Sequence, residues 1–179
     1  MNDYRYSISD RLWNIGVARE LRFFRPKVSL TTANINDFKQ TQLNGQLVIY
    51  PFGNTHLYTL TDWTLHMDQS TDQTKSVWNQ KLGLKTGPLW WIAEATSGDM
   101  KNFSILDGYV VYNQPEMITG LYGLTAYIPL FNYHLDLTAR YQVLNKEGMI
   151  LDYSSSTVYT AKTYSFTDNN FLISLRWNL

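Results

Sequence analysis

The last nine residues of the chain alternate between two kinds of side chain. Phe171, Ile173, Leu175, Trp177 and Leu179 are apolar, and the residues between them are mostly polar. Because successive side chains of a strand point to opposite sides of a sheet, this segment predicts a strand with one fully apolar face. A sequence that ends on such a strand is typical of a transmembrane barrel, and we expect that architecture.

The composition favours a barrel over a helical membrane protein. Charged residues make up 17% of the 179 residues and aromatic residues 15%, and the mean hydropathy is −0.29. A helical membrane protein would be strongly apolar overall, whereas barrel strands alternate lipid-facing and lumen-facing residues and average close to neutral. No stretch approaches the ~20 apolar residues of a spanning helix. We therefore expect strands, and not helices, to cross the membrane.

The charge and cysteine content exclude several kinds of chemistry. Fifteen basic and fifteen acidic residues are scattered along the chain, so no basic patch predicts a nucleic-acid partner. Cysteine is absent, which excludes disulfides, thiolate catalysis and cysteine-based metal sites. No sequence motif indicates a cofactor.

The first residues lack the apolar core of a signal peptide, which an exported protein would need. We expect residues 1–179 to form a single outer-membrane β-barrel domain. That domain either starts at a mature N-terminus or is the C-terminal part of a longer chain.

The alternation along the chain predicts an all-β, antiparallel, up-and-down transmembrane β-barrel of about ten strands, within a range of 8–10. The clearest strand runs from Tyr133 to Tyr141, with aromatic residues at both ends and aliphatic residues between them. The first long strand is predicted from Trp13 to Phe23, ended by Pro26. Because bacterial barrels usually have an even number of strands, Tyr4–Ile8 is predicted as a tenth.

Short and long connections alternate in the predicted barrel. Short turns are predicted near residues 24–26, 51–54, 86–88 and 129–132, and long polar loops at residues 34–40, 68–75, 99–117 and 145–168. In outer-membrane barrels the short turns are periplasmic and the longer loops extracellular. The loops Asp99–Met117, which also suits an extra hairpin, and Asn145–Asp168 are the predicted contacts for a partner or ligand.

The predicted faces define two sets of residues. Aromatic side chains on the outward face are expected at the lipid interface, where an apolar ring with one polar edge is favoured. This set is Trp13, Trp63, Trp78, Trp91, Tyr133, Tyr141, Phe171 and Trp177. A further strand is predicted that ends at Pro129. Six of its residues share one face: Ile118, Gly120, Tyr122, Leu124, Ala126 and Ile128.

Polar side chains on the opposite face are expected to fill the lumen with a salt-bridged network. This set is Glu20, Arg22, Asp62, His66, Lys81, Glu94, His134, Asp136, Arg140 and Arg176. A barrel of this size is nearly filled by its side chains, and unpaired buried charges are costly, so pairing is expected. A narrow polar conduit or ligand site is the alternative.

The sequence offers little support for a catalytic or metal-binding site. His134, Asp136 and Arg140 share one face and, with Ser174, could form a hydrolase-like set, but no nucleophile motif accompanies them. We therefore expect no enzymatic role. The three histidines lack the spacing of metal ligands, so no metal site is expected at His56, His66 or His134.

Three segments resemble a known group of proteins. They are Trp90–Ala95, Gly98–Phe103 and Gly108–Asn113, and with the barrel-like ending they resemble outer-membrane barrels of the Bacteroidota over roughly the last hundred residues. The resemblance implies a Gram-negative outer membrane as the location and nothing catalytic.

The sequence thus predicts a non-enzymatic, structural or accessory outer-membrane barrel, with the lipid bilayer around it and a ligand or a protein partner in a membrane complex at its loops. Two alternatives stay open. The chain could be the C-terminal part of a larger channel or transporter barrel. It could also be a soluble, lipocalin-like barrel whose aromatic residues line a pocket for an apolar ligand, although its low charged fraction disfavours a water-facing exterior.

Overall fold

The computed structural model describes residues 10–35, 38–69, 73–101, 103–105, 110–112, 116–131, 134–153 and 159–177. These residues form eleven β-strands and contain no helix long and apolar enough to cross a membrane. The strands are β1 (Arg11–Ala18), β2 (Phe24–Ile35), β3 (Phe38–Ile49), β4 (Leu57–Asp68), β5 (Gln73–Thr86), β6 (Leu89–Gly98), β7 (Phe103–Ile105), β8 (Val110–Tyr112), β9 (Met117–Leu130), β10 (Leu135–Tyr153) and β11 (Tyr159–Trp177). All pairings are antiparallel, which confirms the predicted all-β antiparallel class.

Nine of these strands form one sheet in the order β1-β2-β3-β4-β5-β6-β9-β10-β11. Neighbours in the sheet are neighbours in sequence, except that the hairpin β7-β8 is set apart between β6 and β9. Among the described residues β1 and β11 are the two edges and do not pair with each other, so the predicted closed barrel is an open sheet here. The predicted strand Tyr4–Ile8 lies outside the described residues.

The two faces of the sheet differ in polarity. We call inner face the one that carries the buried side chains of Ser29, Gln42 and Thr64, and outer face the one that carries exposed Trp13 and Trp63. Antiparallel partners in register lie on the same face, so the pairing of Gln42 with His66 and of Trp63 with Trp78 extends both assignments across the sheet. The inner face is largely polar and the outer face largely apolar.

A small apolar cluster lies where the β7-β8 hairpin meets the sheet. It consists of Val77, Met100, Phe103, Ile118 and Leu121, with Leu144 packed against it. Met100 and Phe103 belong to the segment that follows β6, so this segment folds onto the inner face. Of the two structures predicted for Asp99–Met117, the extra hairpin is the one observed.

The first long strand is shorter than predicted. It ends at Ala18, and a turn over residues 19–23 leads into β2, with Leu21 N donating to Phe24 O at 3.0 Å. Pro26 lies inside β2 and does not end a strand. It needs no partner for its own nitrogen, and its carbonyl accepts a bond from Arg19 N at 3.1 Å.

A bulge changes the predicted face of Ile118. The register between β9 and β10 shifts between Asn145 and Lys146, so that Asn145 pairs with Gly120 and Lys146 with Ile118, leaving Thr119 without a pair. One extra residue reverses the side-chain alternation. Ile118 therefore lies in the apolar cluster of the inner face, while Tyr122 stays on the outer face.

Two predicted loops are mostly strand. β10 and β11 pair continuously from Leu135 with Trp177 to Tyr153 with Tyr159, so much of the predicted loop Asn145–Asp168 is a two-stranded ribbon. Residues 34–40 likewise belong mostly to β2 and β3. The loops were predicted from polar composition, but threonine and tyrosine are strong strand formers, and directly opposed partners stabilise them.

Candidate functional site

The inner face carries a partly open cavity of about 270 Å³, lined by residues of β1–β6 and of the β7-β8 hairpin. Its lining includes five amide side chains, Asn14, Gln42, Asn44, Gln46 and Asn79, and five hydroxyl side chains, Ser29, Thr31, Thr64, Thr96 and Ser104. The charged residues in the lining are Arg25, Lys27, Lys81 and Asp62, and the apolar ones are Leu60, Val77 and Phe103. Uncharged hydrogen-bonding groups therefore dominate the wall.

Amide-to-hydroxyl hydrogen bonds connect adjacent strands along this wall. Asn14 Nδ2 donates to Thr31 Oγ1 at 2.6 Å, and Asn44 Nδ2 donates to Thr64 Oγ1 at 2.7 Å. The partners face each other directly in the sheet register, as the short distances require. The amides are thereby held in fixed positions at the surface of the cavity.

Asp62 is the one acidic residue in the described lining, and it is well supported. Gln46 Nε2 donates to Asp62 Oδ2 at 3.1 Å, Asn44 Nδ2 donates to Oδ1, and Thr64 Oγ1 donates to Oδ1 at 3.2 Å. Hydrogen bonds of this kind stabilise a carboxylate inside a protein. The sequence placed Asp62 on the inner face, but its three donors were not recognised.

The hairpin closes one end of the cavity through Ser104. The Gln42 side-chain amide accepts from Ser104 N at 3.0 Å and donates to Ser104 O at 3.0 Å and to Ser104 Oγ at 2.8 Å. This pattern imitates a pair of ladder hydrogen bonds. Beside it, the Phe103 ring lies 6.1 Å from the ring of His66.

A charge network crosses the inner face from β5 to β10. Glu94 on β6 bonds the Arg140 guanidinium and lies 3.4 Å from Lys81 Nζ. Gly123, between Glu94 and Gln142 in the register, leaves room for this carboxylate, because a Cβ there would lie 2.7 Å from Glu94 Oε1. Three of the predicted lumen residues are thus brought together.

The other predicted lumen residues are more dispersed. Asp136 accepts a hydrogen bond from Tyr127 Oη at 2.9 Å and pairs in register with Arg176. Glu20 and Arg22 lie in the turn after β1 and not on a strand face: Glu20 pairs with Arg25 at 2.7 Å, and Arg22 lies over the Phe23 ring. The predicted strand to Phe23 had placed both in the lumen, and the early end of β1 moves them to the turn.

The two remaining histidines in the prediction have different surroundings. His134 is exposed in the turn before β10, and its backbone N–H donates to the backbone carbonyl of Phe131 at 3.2 Å. His66 is only 2% exposed, and neither ring nitrogen hydrogen-bonds to a described residue.

The predicted outward aromatic residues are exposed wherever they are described. This holds for Trp13, Trp63, Trp78, Trp91, Tyr141, Phe171 and Trp177, whereas Tyr133 lies outside the described residues. The exposed fraction is 76% for Trp13 and 67% for Trp177, values unusual for the largest apolar side chain in water. Aliphatic side chains fill the surface between these rings, so the outer face is one extended apolar surface.

Polar atoms on this outer face bond to one another. Trp63 Nε1 donates to Ser76 Oγ at 2.7 Å, and Trp91 Nε1 donates to Thr86 Oγ1 at 3.1 Å. Tyr141 Oη donates to Asn169 Oδ1 at 2.8 Å. On β5, the Gln80 amide bonds both Thr59 and Thr61. The outer face thus satisfies these groups without relying on water.

No catalytic arrangement emerges from the hydrolase-like set. Ser174 pairs in register with Thr138, Asp136 is bonded by Tyr127, and His134 lies in the exposed turn. Within the described ranges, no cluster of three or more acidic or histidine side chains is placed to hold a metal ion.

The predicted inner-face set consists of charged residues and histidines and does not include the amide and hydroxyl lining of the cavity. The signal was present as Asn and Gln at alternate positions of β3, at Gln42, Asn44 and Gln46, opposite the apolar Leu43 and Leu47. Amides repeated on one face of a strand indicate a polar interior as clearly as charges do.

Comparisons with known proteins add no assignment: no family model matches the chain, and neither a curated protein nor a solved structure shows significant similarity to it.

Proposed function

We propose that this chain forms the wall of a membrane β-barrel, located in a Gram-negative outer membrane, with a structural or accessory role and no catalysis. The observation that carries the proposal is the distribution of side chains over the sheet. An apolar outer face with exposed tryptophans suits lipid, and a polar inner face suits a hydrated lumen. The resemblance of residues 90–113 to barrels of the Bacteroidota supports the location.

The hydrogen bonds of the outer face support the same proposal. A polar group exposed to hydrocarbon must find its partner within the protein, because lipid offers none. Trp63, Gln80 and Trp91 have such partners on their own face. In a water-exposed sheet these pairings would bring little benefit, because water would satisfy the same atoms.

Insertion also requires the sheet edges to be paired, since unpaired backbone groups of an edge are costly in lipid. We infer that β1 joins β11 in the membrane and closes the barrel. Because the directions of the nine strands alternate, the first and the ninth run the same way, and this closing pair is parallel. Cysteine pairs test this: Asn14→Cys on the inner face of β1 combined in turn with Leu172→Cys, Ser174→Cys or Arg176→Cys on the inner face of β11. A disulfide within one chain for one of these pairs supports closure.

The same cysteine pairs address the alternative that the chain is part of a larger channel or transporter barrel. In that case other strands separate β1 from β11, and none of the three pairs would form an intramolecular disulfide. The predicted tenth strand Tyr4–Ile8 would separate the two edges in the same way, so this outcome excludes direct closure of β1 on β11. Asn14→Cys with Thr31→Cys, whose side chains hydrogen-bond across β1 and β2, is the positive control for oxidation.

The soluble, lipocalin-like alternative requires an apolar interior and a polar exterior. The polar lining of the cavity and the exposed rings of the outer face have the opposite arrangement, and this favours the membrane proposal. The two proposals differ in detergent dependence. A lipid-facing barrel is extracted from membranes only by detergent and migrates differently in SDS gels before and after boiling, whereas a protein that stays soluble and monomeric without detergent would refute insertion.

A further inference from the structure

We propose that the inner-face cavity binds a small, uncharged, polyhydroxylated solute of about the size of a monosaccharide. This inference goes beyond a structural barrel role. It depends on the inner face of the sheet and not on the bilayer.

The hydrogen-bonding chemistry of the wall selects hydroxyl groups. A sugar hydroxyl both donates and accepts, and a side-chain amide offers two donors on one atom and an acceptor on the other. Asn44 and Gln46 on β3 and Asn79 on β5 line the same cavity, on either side of β4. Each is already fixed on one side by Thr64, Asp62 or Thr96, so binding would not require these amides to be ordered anew.

The charged residues that line the cavity have partners within the protein, and this favours an uncharged ligand. Arg25 pairs with Glu20 at 2.7 Å, and Lys81 lies 3.4 Å from Glu94. The Asp62 carboxylate accepts hydrogen bonds from three side chains, and Lys27 also interacts with another group of the protein. An ionic ligand would therefore have to displace existing partners.

The size and shape of the cavity limit the ligand. Its volume of about 270 Å³ is just below the range of roughly 300–1,000 Å³ typical of small-molecule sites. Phe103, Val77 and Leu60 add apolar surface that suits the C–H groups of a sugar ring. Ser104 on the hairpin contributes a hydroxyl at one end of the cavity.

Ligand-observed NMR by saturation transfer tests the proposal. The probes are glucose, galactose, mannose and N-acetylglucosamine, with inorganic phosphate followed by ³¹P line width as the anionic probe. The purified protein is kept in a detergent without a sugar headgroup. At least one sugar is expected to receive saturation from the protein, with a dissociation constant on the order of 1 mM. The proposal would be overturned if the folded protein transferred saturation to none of the four sugars, or if it bound phosphate alone.

Matched variants locate the binding site. Asn79→Leu removes an amide from the cavity, and Gln80→Leu makes the same kind of change one residue away on the outer face. Asn79→Leu should weaken sugar binding at least ten-fold, and Gln80→Leu should leave it unchanged. Equal effects of the two substitutions would show that the sugar binds elsewhere.

Thr96→Val preserves the shape of the side chain but removes its hydroxyl, which lines the cavity and accepts the hydrogen bond from Asn79. This variant is the test if Asn79→Leu fails to fold. It should weaken binding about three-fold or more. Unchanged sugar binding by a folded Thr96→Val protein would count against this cavity.

Discussion

The ring of Tyr58 on β4 covers Gly83, its directly opposed partner on β5. A Cβ added to Gly83 would overlap this ring and would lie 2.7 Å from Tyr58 Cδ1. The ring thus occupies space that only a glycine leaves open, and it shields the backbone of β5. An aromatic ring placed over a strand glycine is a known way to fix register and stabilise a curved sheet.

Gly83→Ala should therefore destabilise the fold by about 1–3 kcal/mol, because Tyr58 must leave its position for the new methyl group. Gly45→Ala is the matched control: it lies in a strand too, but its nearest neighbour to a new Cβ is Trp63 O at 4.0 Å. That substitution should be neutral or slightly stabilising. Urea unfolding followed by gel mobility measures both, and equal stabilities would contradict the packing of Tyr58 on Gly83.

Glu94→Gln should lower the free energy of unfolding by about 1–3 kcal/mol, because it leaves Arg140 and Lys81 half-buried without their carboxylate. The effect stays below that of a fully buried pair, since both cations keep contact with solvent. Asp152→Asn breaks the Lys162–Asp152 pair, in which both side chains are more than half exposed, and should cost less than about 1 kcal/mol. If the two substitutions cost the same, the inner-face network is not a stabilising one.

Gln42→Ala should loosen the β7-β8 hairpin, because it removes the acceptor of the Ser104 N–H. Losing about 1–2 kcal/mol of local hydrogen bonding corresponds to roughly 5- to 30-fold faster amide exchange at Ser104. Gln46→Ala, on the same face of the same strand but bonded to Asp62, should leave that exchange rate unchanged. Hydrogen exchange read by NMR or mass spectrometry distinguishes the two, and an unaltered rate in Gln42→Ala would mean that other contacts hold the hairpin.

The sequence predicted those features that follow from alternation over a long strand. The face assignments of Trp63 on β4, Trp78 on β5 and Phe171 on β11 follow from a period of two, which a paired strand must obey. The inner-face positions of Lys81 and Glu94 follow in the same way. The contact between Lys81 and Glu94 does not follow from the alternation, because it depends on which strands are neighbours and on the register between them.

The errors arose where one residue or one turn decides the outcome. The bulge at Thr119 reverses the face of Ile118, and no composition signal precedes it. The end of β1 at Ala18 is set by pairing with β2, and the predicted strand simply continued the alternation to Phe23. The inward fold of the hairpin depends on long-range contacts such as Gln42 with Ser104, which lie 62 residues apart. Such contacts cannot be derived from local patterns.

The adjacent residues Trp90 and Trp91 provide the most direct test of whether the outer face meets lipid. Trp91 is exposed on the outer face, and its Nε1 donates to Thr86 Oγ1 at 3.1 Å. Trp90 pairs in register with Lys85 on the inner face, where Lys85 Nζ lies 5.1 Å from the ring centre. The two rings therefore lie at the same level along β6 but on opposite sides of the wall.

The measurement is tryptophan fluorescence in bilayers whose lipids are brominated in the upper part of one acyl chain. Two proteins are compared, one that keeps only Trp91 and one that keeps only Trp90, with the other five tryptophans replaced by phenylalanine. The membrane-barrel proposal predicts that brominated lipid quenches Trp91 strongly and Trp90 much less. Equal quenching of the two residues, or stronger quenching of Trp90, would contradict a wall with its apolar outer face in lipid.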